Sequence, residues 1–225
     1  MGGVKQRRAA GRHVTGADGL ITIPERRGPR KGDQRRAALL AALEGLLETK
    51  PLASIAVEEI TSRAGVTRPG FYFYFQTTAA AVAALIQQVF VEMTAATSTF
   101  FDDIGPSPRQ RLRTSLSNGA SVWHRHAKLV CALFDAAGAD PDIDAVLQGW
   151  IDQYVDFTRM RIEQDRKAGR APSGVPAADL ARVLVNMNLR SFERDARAGA
   201  SAAQIRRTVA ALVDVWATAL YRDLG

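Results

Sequence analysis

The stretch RPGFYFYF, Arg68 to Phe75, packs one guanidinium and five consecutive rings into eight residues. Each group has recognisable chemistry. An arginine can give two parallel hydrogen bonds to a guanine edge, a phenol can donate to a phosphate, and ring edges can touch a thymine methyl. On a strand, Tyr72 and Tyr74 would share one face and the three phenylalanines the other, an uncharged ribbon open to pairing with other chains. On a helix capped by Thr67, with Pro69 in the first turn, Phe71 and Phe75 share one face. Pro69, Tyr72 and Phe73 then lie opposite, with Tyr74 on a flank. The helical reading pins two rings inward and leaves the others to meet something besides the core. That something is either a nucleic acid or, for Phe73 and the tyrosines, the neighbouring helix. Gly70 lets the backbone come close to a partner and removes one reading side chain.

Other reactive groups are sparse. His124 and His126 stand two apart, and on a helix such residues face different ways, against joint metal ligation. The single cysteine, Cys131, sits in the apolar segment KLVCALF and reads as a small filler. Having only one excludes an internal disulfide and suits a reducing cytoplasm. The chain holds no GxSxG, HExxH, Walker or dinucleotide-binding pattern, so no enzyme activity, cofactor or metal is expected.

The elements that must position RPGFYFYF are helices. Asp33 reads as an N-cap, followed by Leu39, Leu40, Leu43, Leu46 and Leu47 at helical spacing and a stop before Pro51. A short helix, VEEITSRA, carries acids near its positive end and stops at Gly65. A long helix runs from about Thr77 to Phe101 with the stripe Val82, Leu85, Ile86, Val89 and Met93. After the break at DDIGPSP, helices are expected over 108–124, 127–137, 141–168, 177–198 and 202–222. The fold class is all-α: a three-helix head (33–76) containing a helix-turn-helix, joined by a connecting helix to a helical body (77–225). No uncharged apolar run of about 18 residues is read, so no membrane span is expected, and the N-terminus lacks the apolar stretch of a secretory signal.

Charge is uneven. Residues 1–36 hold ten basic and three acidic side chains, so the whole excess of +7 lies there, and the remainder is balanced. Segment 1–32 reads as a loose basic arm, either a solubility tail or a cation-rich strand that follows a phosphate backbone.

The segment IAVEEITSRAGVTRPGFYFYFQTTAAAV resembles the DNA-binding module of the TetR family of bacterial transcriptional repressors, over roughly residues 34 to 80. VLVNMNLRSF and VDVWATALY extend a weaker resemblance, to EthR-like members, toward the C-terminus. The resemblance implies a dimer binding double-stranded operator DNA, with base reading at Arg68, Pro69 and Gly70. Phosphate-contacting aromatics would be Tyr72 and Tyr74, with Phe73 beside them. Two positions depart from the family pattern: Thr78 stands where a phosphate-clamping Lys is usual, and Ala56 where a Ser or Thr opens the second helix. A helix N-terminus still offers N–H groups to a phosphate.

The resemblance also implies a lipophilic tunnel for a small effector in the body. Its positions fall on Leu116, Gly119, Trp123, Leu147, Ile151, Tyr154, Phe157, Thr158, Asn188, Phe192 and Trp216. Gly119 replaces a bulky aromatic, which would widen or reshape the tunnel. Arg161 and Glu193 replace apolar linings, and either pair with each other or face solvent. From the residues alone, the three Trp either fill a core or surround a cavity with Asn188 as its polar anchor. The last two helices are the expected homodimer surface, with Leu180, Val183, Leu184, Val209, Leu212, Val213 and Leu220 supplying apolar area. The function implied is a ligand-released repressor of cytoplasmic location; a DNA-binding architectural or constitutive regulator without a ligand is the alternative.

Overall fold

A computed structural model describes residues 31–102 and 107–221. Nearly all of the basic arm therefore lies outside the described residues, as do Asp103 to Pro106. The elements are α1 (Lys31–Leu47), a single 3-10 turn (Leu52–Ser54), α2 (Val57–Ala64), α3 (Arg68–Tyr74) and α4 (Thr78–Phe101). They continue with α5 (Pro108–Arg125), α6 (Ala127–Ala137), α7 (Pro141–Lys167), α8 (Ala177–Arg197) and α9 (Ala202–Tyr221). The all-α expectation holds, and no strand occurs among the described residues. One start differs: α1 is already helical at Lys31, so Asp33 sits in its first turn and complements the helix dipole there instead of capping it.

Helix ends follow from local chemistry. Thr67 Oγ1 accepts from Gly70 N at 3.3 Å, Thr77 Oγ1 from Ala80 N at 3.0 Å, and Ser107 Oγ from Gln110 N at 3.2 Å. Each thereby satisfies a donor that the helix leaves open. Asp140 does the same for Asp142 N at 2.9 Å, with Pro141 at the first helical position. Gly65 ends α2 with φ 64°, a left-handed conformation that a Cβ would disfavour. Ala56 has no side chain to cap α2, but Glu59 reaches back and accepts from Ala56 N at 3.0 Å, which supplies half of a capping box.

Two apolar clusters hold these helices together. The first joins Leu39, Leu40 and Leu43 of α1, Ile60 of α2, Phe71 and Phe75, and Val82, Leu85 and Ile86 of α4. It runs on without a break into Leu129 and Leu133 of α6 and Ile143 and Leu147 of α7. The second occupies the body, with Leu112, Leu116, Trp123, Ile162, Leu184, Phe192, Val213 and Trp216. The helix α4 belongs to both regions. It is long and apolar enough to cross a membrane by length and composition, with a mean hydropathy of 1.5, although Glu92 interrupts its uncharged run. Its sides are instead in contact with α1, α5 and α7, the role of a central helix in a folded domain.

The far end of the body contains a buried ionic cluster. Arg161 and Asp165, one turn apart on α7, are both almost fully buried and bonded at 2.8 and 3.1 Å. Asp165 also accepts from Arg170 at 2.7 Å and from the Tyr221 hydroxyl of α9 at 2.7 Å. The Arg161 guanidinium lies 5.8 Å from the Phe100 ring centre, and Phe100 meets Trp216 edge-on at 5.7 Å. Burial, and then the bond to Asp165, pushes the Tyr221 phenol well above its usual range. Arg161 thus neither pairs with Glu193 nor faces solvent. Glu193 is held by Arg190 at 2.6 Å and Arg197 at 3.0 Å. An acid at i+4 was the simpler partner for Arg161.

Candidate functional site

The exposed surface of the head is built around α3. Phe71 is fully buried and Phe75 nearly so, and the two rings meet at 5.7 Å. Tyr72 and Phe73 face outward at 45% and 81% exposure, so neither is consumed by packing on α4. Tyr74 is half-buried, edge-on to Phe73 at 5.0 Å. Pro69 and Gly70 lie at the helix tip, Pro69 exposed and Gly70 half-buried. A Cβ on Gly70 would stand 2.7 Å from Val66 Cγ1, a stiff branched side chain. Close packing of the turn on the helix therefore requires glycine here, whatever approaches from outside. A shallow cleft beside the helix is lined by Arg35 of α1 together with Thr67, Gly70, Phe73 and Tyr74. Thr78 opens α4 half-buried, in a separate groove with Leu47, Lys50 and Lys128.

Arg68 is not a free cation. It forms an ion pair with Glu58 of α2, and its guanidinium carbon lies 6.0 Å from the Tyr72 ring centre. The Tyr72 hydroxyl and then the Glu58 carboxylate hold the guanidinium above its ordinary range, so it stays charged. The sequence reading treated Glu58 only as a dipole partner for α2. Its neighbour Glu59 is taken by Lys50, which holds that carboxyl below its usual value.

The body encloses an apolar cavity of about 170 Å³. For scale, a cavity of about 150 Å³ lined by aliphatic and aromatic groups stays dry and accepts benzene. Of the residues expected around it, Leu116, Trp123, Leu147, Ile151, Tyr154, Thr158, Asn188, Phe192 and Trp216 all line it. Two do not. Gly119 is buried under α4, where an added Cβ would meet Thr97 Cγ2 at 3.3 Å, so the missing aromatic is replaced by closer helix packing and not by space. Phe157 points to a neighbouring outer groove with Thr94, Met160 and Arg161. The sequence reading missed the wall that α4 contributes, including Val89, Phe90, Met93, Phe100 and Phe101. Phe90 sits 5.2 Å from Trp150 and 5.7 Å edge-on to Tyr154. Its signal was available, because Phe90 and Phe101 flank the apolar stripe of α4.

Polar atoms in this wall are few and individually placed. Thr97 gives its single proton to the Met93 carbonyl at 2.8 Å, so at 2.5 Å the Tyr154 hydroxyl is the donor and Thr97 Oγ1 the acceptor. Burial pushes the Tyr154 phenol up to about 12, which keeps it neutral. Trp216 Nε1, a donor only, gives to Asn188 Oδ1 at 2.9 Å. That fixes the amide's orientation and leaves its NH2 group for other acceptors. The Thr158 hydroxyl is buried with no hydrogen-bond partner. Such an atom costs free energy unless something supplies its bond.

The remaining candidates do not converge. His126 lies 2.8 Å from Glu92 and 3.6 Å from Glu44, while His124 is exposed. No group of three or more potential metal ligands occurs among the described residues. Cys131 is half-buried, and burial raises its thiol above the usual value. Of the apolar residues assigned to a dimer surface, Leu184, Val209, Leu212, Val213 and Leu220 are buried inside the chain. The apolar groups that α8 and α9 leave outside are chiefly Val183 and Val215.

Comparison with known proteins places this geometry. Residues 39–85 match the family described as bacterial regulatory proteins, tetR family, and residues 112–222 match the C-terminal domain of the transcriptional regulator EthR. The HTH-type transcriptional regulator EthR of Mycolicibacterium smegmatis is 29% identical over 212 residues, covering 91% of this chain and 98% of its own. A TetR-family transcriptional regulator from Syntrophomonas wolfei superposes with a TM-score of 0.73 at 18% identity, over 84% of this chain and 95% of that one. The complex of SmeT, from Stenotrophomonas maltophilia, with triclosan gives 0.71 at 19% identity, over 84% and 93%. With a helix-turn-helix head whose outward rings flank an arginine, and an EthR-type body behind it, the chain belongs to the TetR family of bacterial transcriptional regulators, as an EthR-like member.

Proposed function

We propose that the chain is a cytoplasmic repressor that binds operator DNA as a homodimer and is released by a small lipophilic effector. In this reading, residues 33–76 are the DNA-binding unit and 77–225 the effector and dimerisation unit. Arg68, Pro69 and Gly70 meet base edges; Tyr72, Tyr74 and Thr78 meet phosphates, and Phe73 lies against the groove. Dimerisation uses the outer faces of α8 and α9, where Val183 is 65% exposed and Val215 is also exposed. Two heads then address half-sites about 34–36 Å apart or a multiple of that.

One observation carries the coupling: Ile86 of α4 belongs to the core that holds the head and also lines the cavity. A ligand that widens the cavity presses on the same helix that fixes α3. It shifts the equilibrium between head spacings only by its differential affinity for them, and a few kcal/mol suffices. The wall is nearly all apolar, and SmeT, of similar fold, is known in complex with triclosan. Asn188 NH2 and the Thr158 hydroxyl favour an uncharged ligand with a hydrogen-bond acceptor.

The test uses the full chain and duplexes selected from its own genome, followed by anisotropy with added triclosan as a neutral apolar probe. Release of DNA together with a rise in melting temperature supports the reading. Trp123→Ala should weaken the response to the probe while leaving DNA affinity intact. DNA binding that ignores apolar probes, with no thermal shift, would leave a constitutive DNA-binding protein. Deleting residues 1–32 should weaken binding to all sequences alike and flatten its salt dependence; an unchanged salt slope would assign that segment no DNA contact.

A further inference from the structure

The two acids in the first turn of α2 are treated differently. Glu59 is folded back onto Lys50 and the Ala56 amide. Glu58 reaches across to α3 and accepts from Arg68 Nη1. Both partners of that pair are more than half exposed, at 59% for Arg68 and 56% for Glu58, so the pair adds little to holding the head together. The head is held by the buried apolar residues of α1, α2, α3 and α4. The pair instead fixes the one long cation at the tip of α3, between a carboxylate and the Tyr72 ring.

We propose that Glu58 is a positioning residue for base recognition: by holding Nη1 of Arg68, it presents the opposite, Nε–Nη2 edge of the guanidinium to a guanine. The inference rests on the proposed role of α3 as the reading helix. A guanidinium has five N–H groups in a planar fork, so one edge can be held by a carboxylate while the other makes a bidentate contact with guanine O6 and N7. Without Glu58, Arg68 keeps only Tyr72 as a neighbouring partner and turns more freely to any nearby phosphate, which raises affinity for every sequence. With it, the rotamer is chosen before encounter, and the Glu58 charge offsets the attraction to phosphate. Glu58 therefore exchanges general affinity for discrimination.

The experiment compares the full-length wild type, Glu58→Gln and Arg68→Ala on a pool of duplexes with a randomised centre. Selection and sequencing are followed by titration of the best selected duplex and of the unselected pool at two salt concentrations. For Glu58→Gln, the expected result is tighter binding to the unselected pool and a ratio of selected to unselected affinity reduced about tenfold. The guanine preference at one position of each half-site should be lost as well. If Glu58→Gln tightens both duplexes equally, the residue acts only by repulsion, and the proposal falls. If it weakens both equally, the pair is merely structural, and the proposal falls again. Arg68→Ala separates the levels. A variant with wild-type selectivity would remove the reading helix itself from the argument. Loss of guanine preference in Arg68→Ala, but not in Glu58→Gln, would remove only the role of Glu58.

Discussion

The head and the body both concentrate aromatic rings, and they use them in opposite ways. Along α3 and the residue that ends it, Phe71 and Phe75 turn inward while Tyr72 and Phe73 stay outside. In the body, Phe90, Phe100, Trp123, Trp150, Tyr154, Phe192 and Trp216 come from five helices and surround unfilled space. The contrast separates two ways of keeping a ring unpacked. A helix too short to have a second buried side exposes rings outright. Large flat rings carried on long helices meet before they can fill the volume between them, because their shapes leave gaps that small aliphatic groups would close.

Four substitutions sharpen this contrast, in falling order of expected effect. Phe71→Ala should cost about 3–5 kcal/mol of stability in urea unfolding, since the ring is fully buried in the head core. A much smaller loss would mean that the head does not depend on its inward rings. Second, Tyr154 has its folded value raised from 10.0 to about 12. A raised value means that the neutral phenol contributes stability in full below pH 10, and that this is lost as pH climbs through 12. The wild type should thus lose about 2–3 kcal/mol more than Tyr154→Phe over that interval. Tyr221 titrates in both proteins, so the difference between the two unfolding curves isolates Tyr154; parallel curves would refute a buried neutral phenol.

Third, Thr158→Val replaces an unpartnered hydroxyl with a methyl and should stabilise the chain by about 1 kcal/mol while weakening binding of an acceptor-bearing ligand. Destabilisation would show that the hydroxyl is bonded in solution. Fourth, Phe73→Ala should leave stability within about 0.5 kcal/mol, yet weaken binding to duplex DNA. Unfolding and anisotropy titrations on one preparation test both halves, and a ring that matters to stability but not to DNA would invert its assignment.

The sequence was most legible where one helix decides the outcome. The cap at Thr67, the glycine at Gly65, the break before Pro108 and the period of α3 are local, and helix limits follow from them. It was least legible where several helices meet. Nothing in the spacing of α7 says that Phe157 turns to an outer groove while Thr158 faces the cavity. The buried state of Leu212 and Val213 depends on how α9 seats against α5 and α8, which made them look like spare surface. Glu58 had an evident local role in α2, and that concealed its partner on the next helix.

The ionic cluster at the end of the body has a mechanical consequence. With Phe100 wedged between Arg161 and Trp216, the C-terminal end of α4 is fastened; Glu92 ties its middle to Arg125 and His126, and Val82, Leu85 and Ile86 seat its other end in the apolar core. From Phe100 back to Val82 is about 27 Å at 1.5 Å per residue, so a pivot of about 3° at the fastened end would swing the head end by about 1.4 Å. In the proposed effector response, a rod pinned at its base would turn slight swelling of the cavity into sideways travel at its far tip, next to α3.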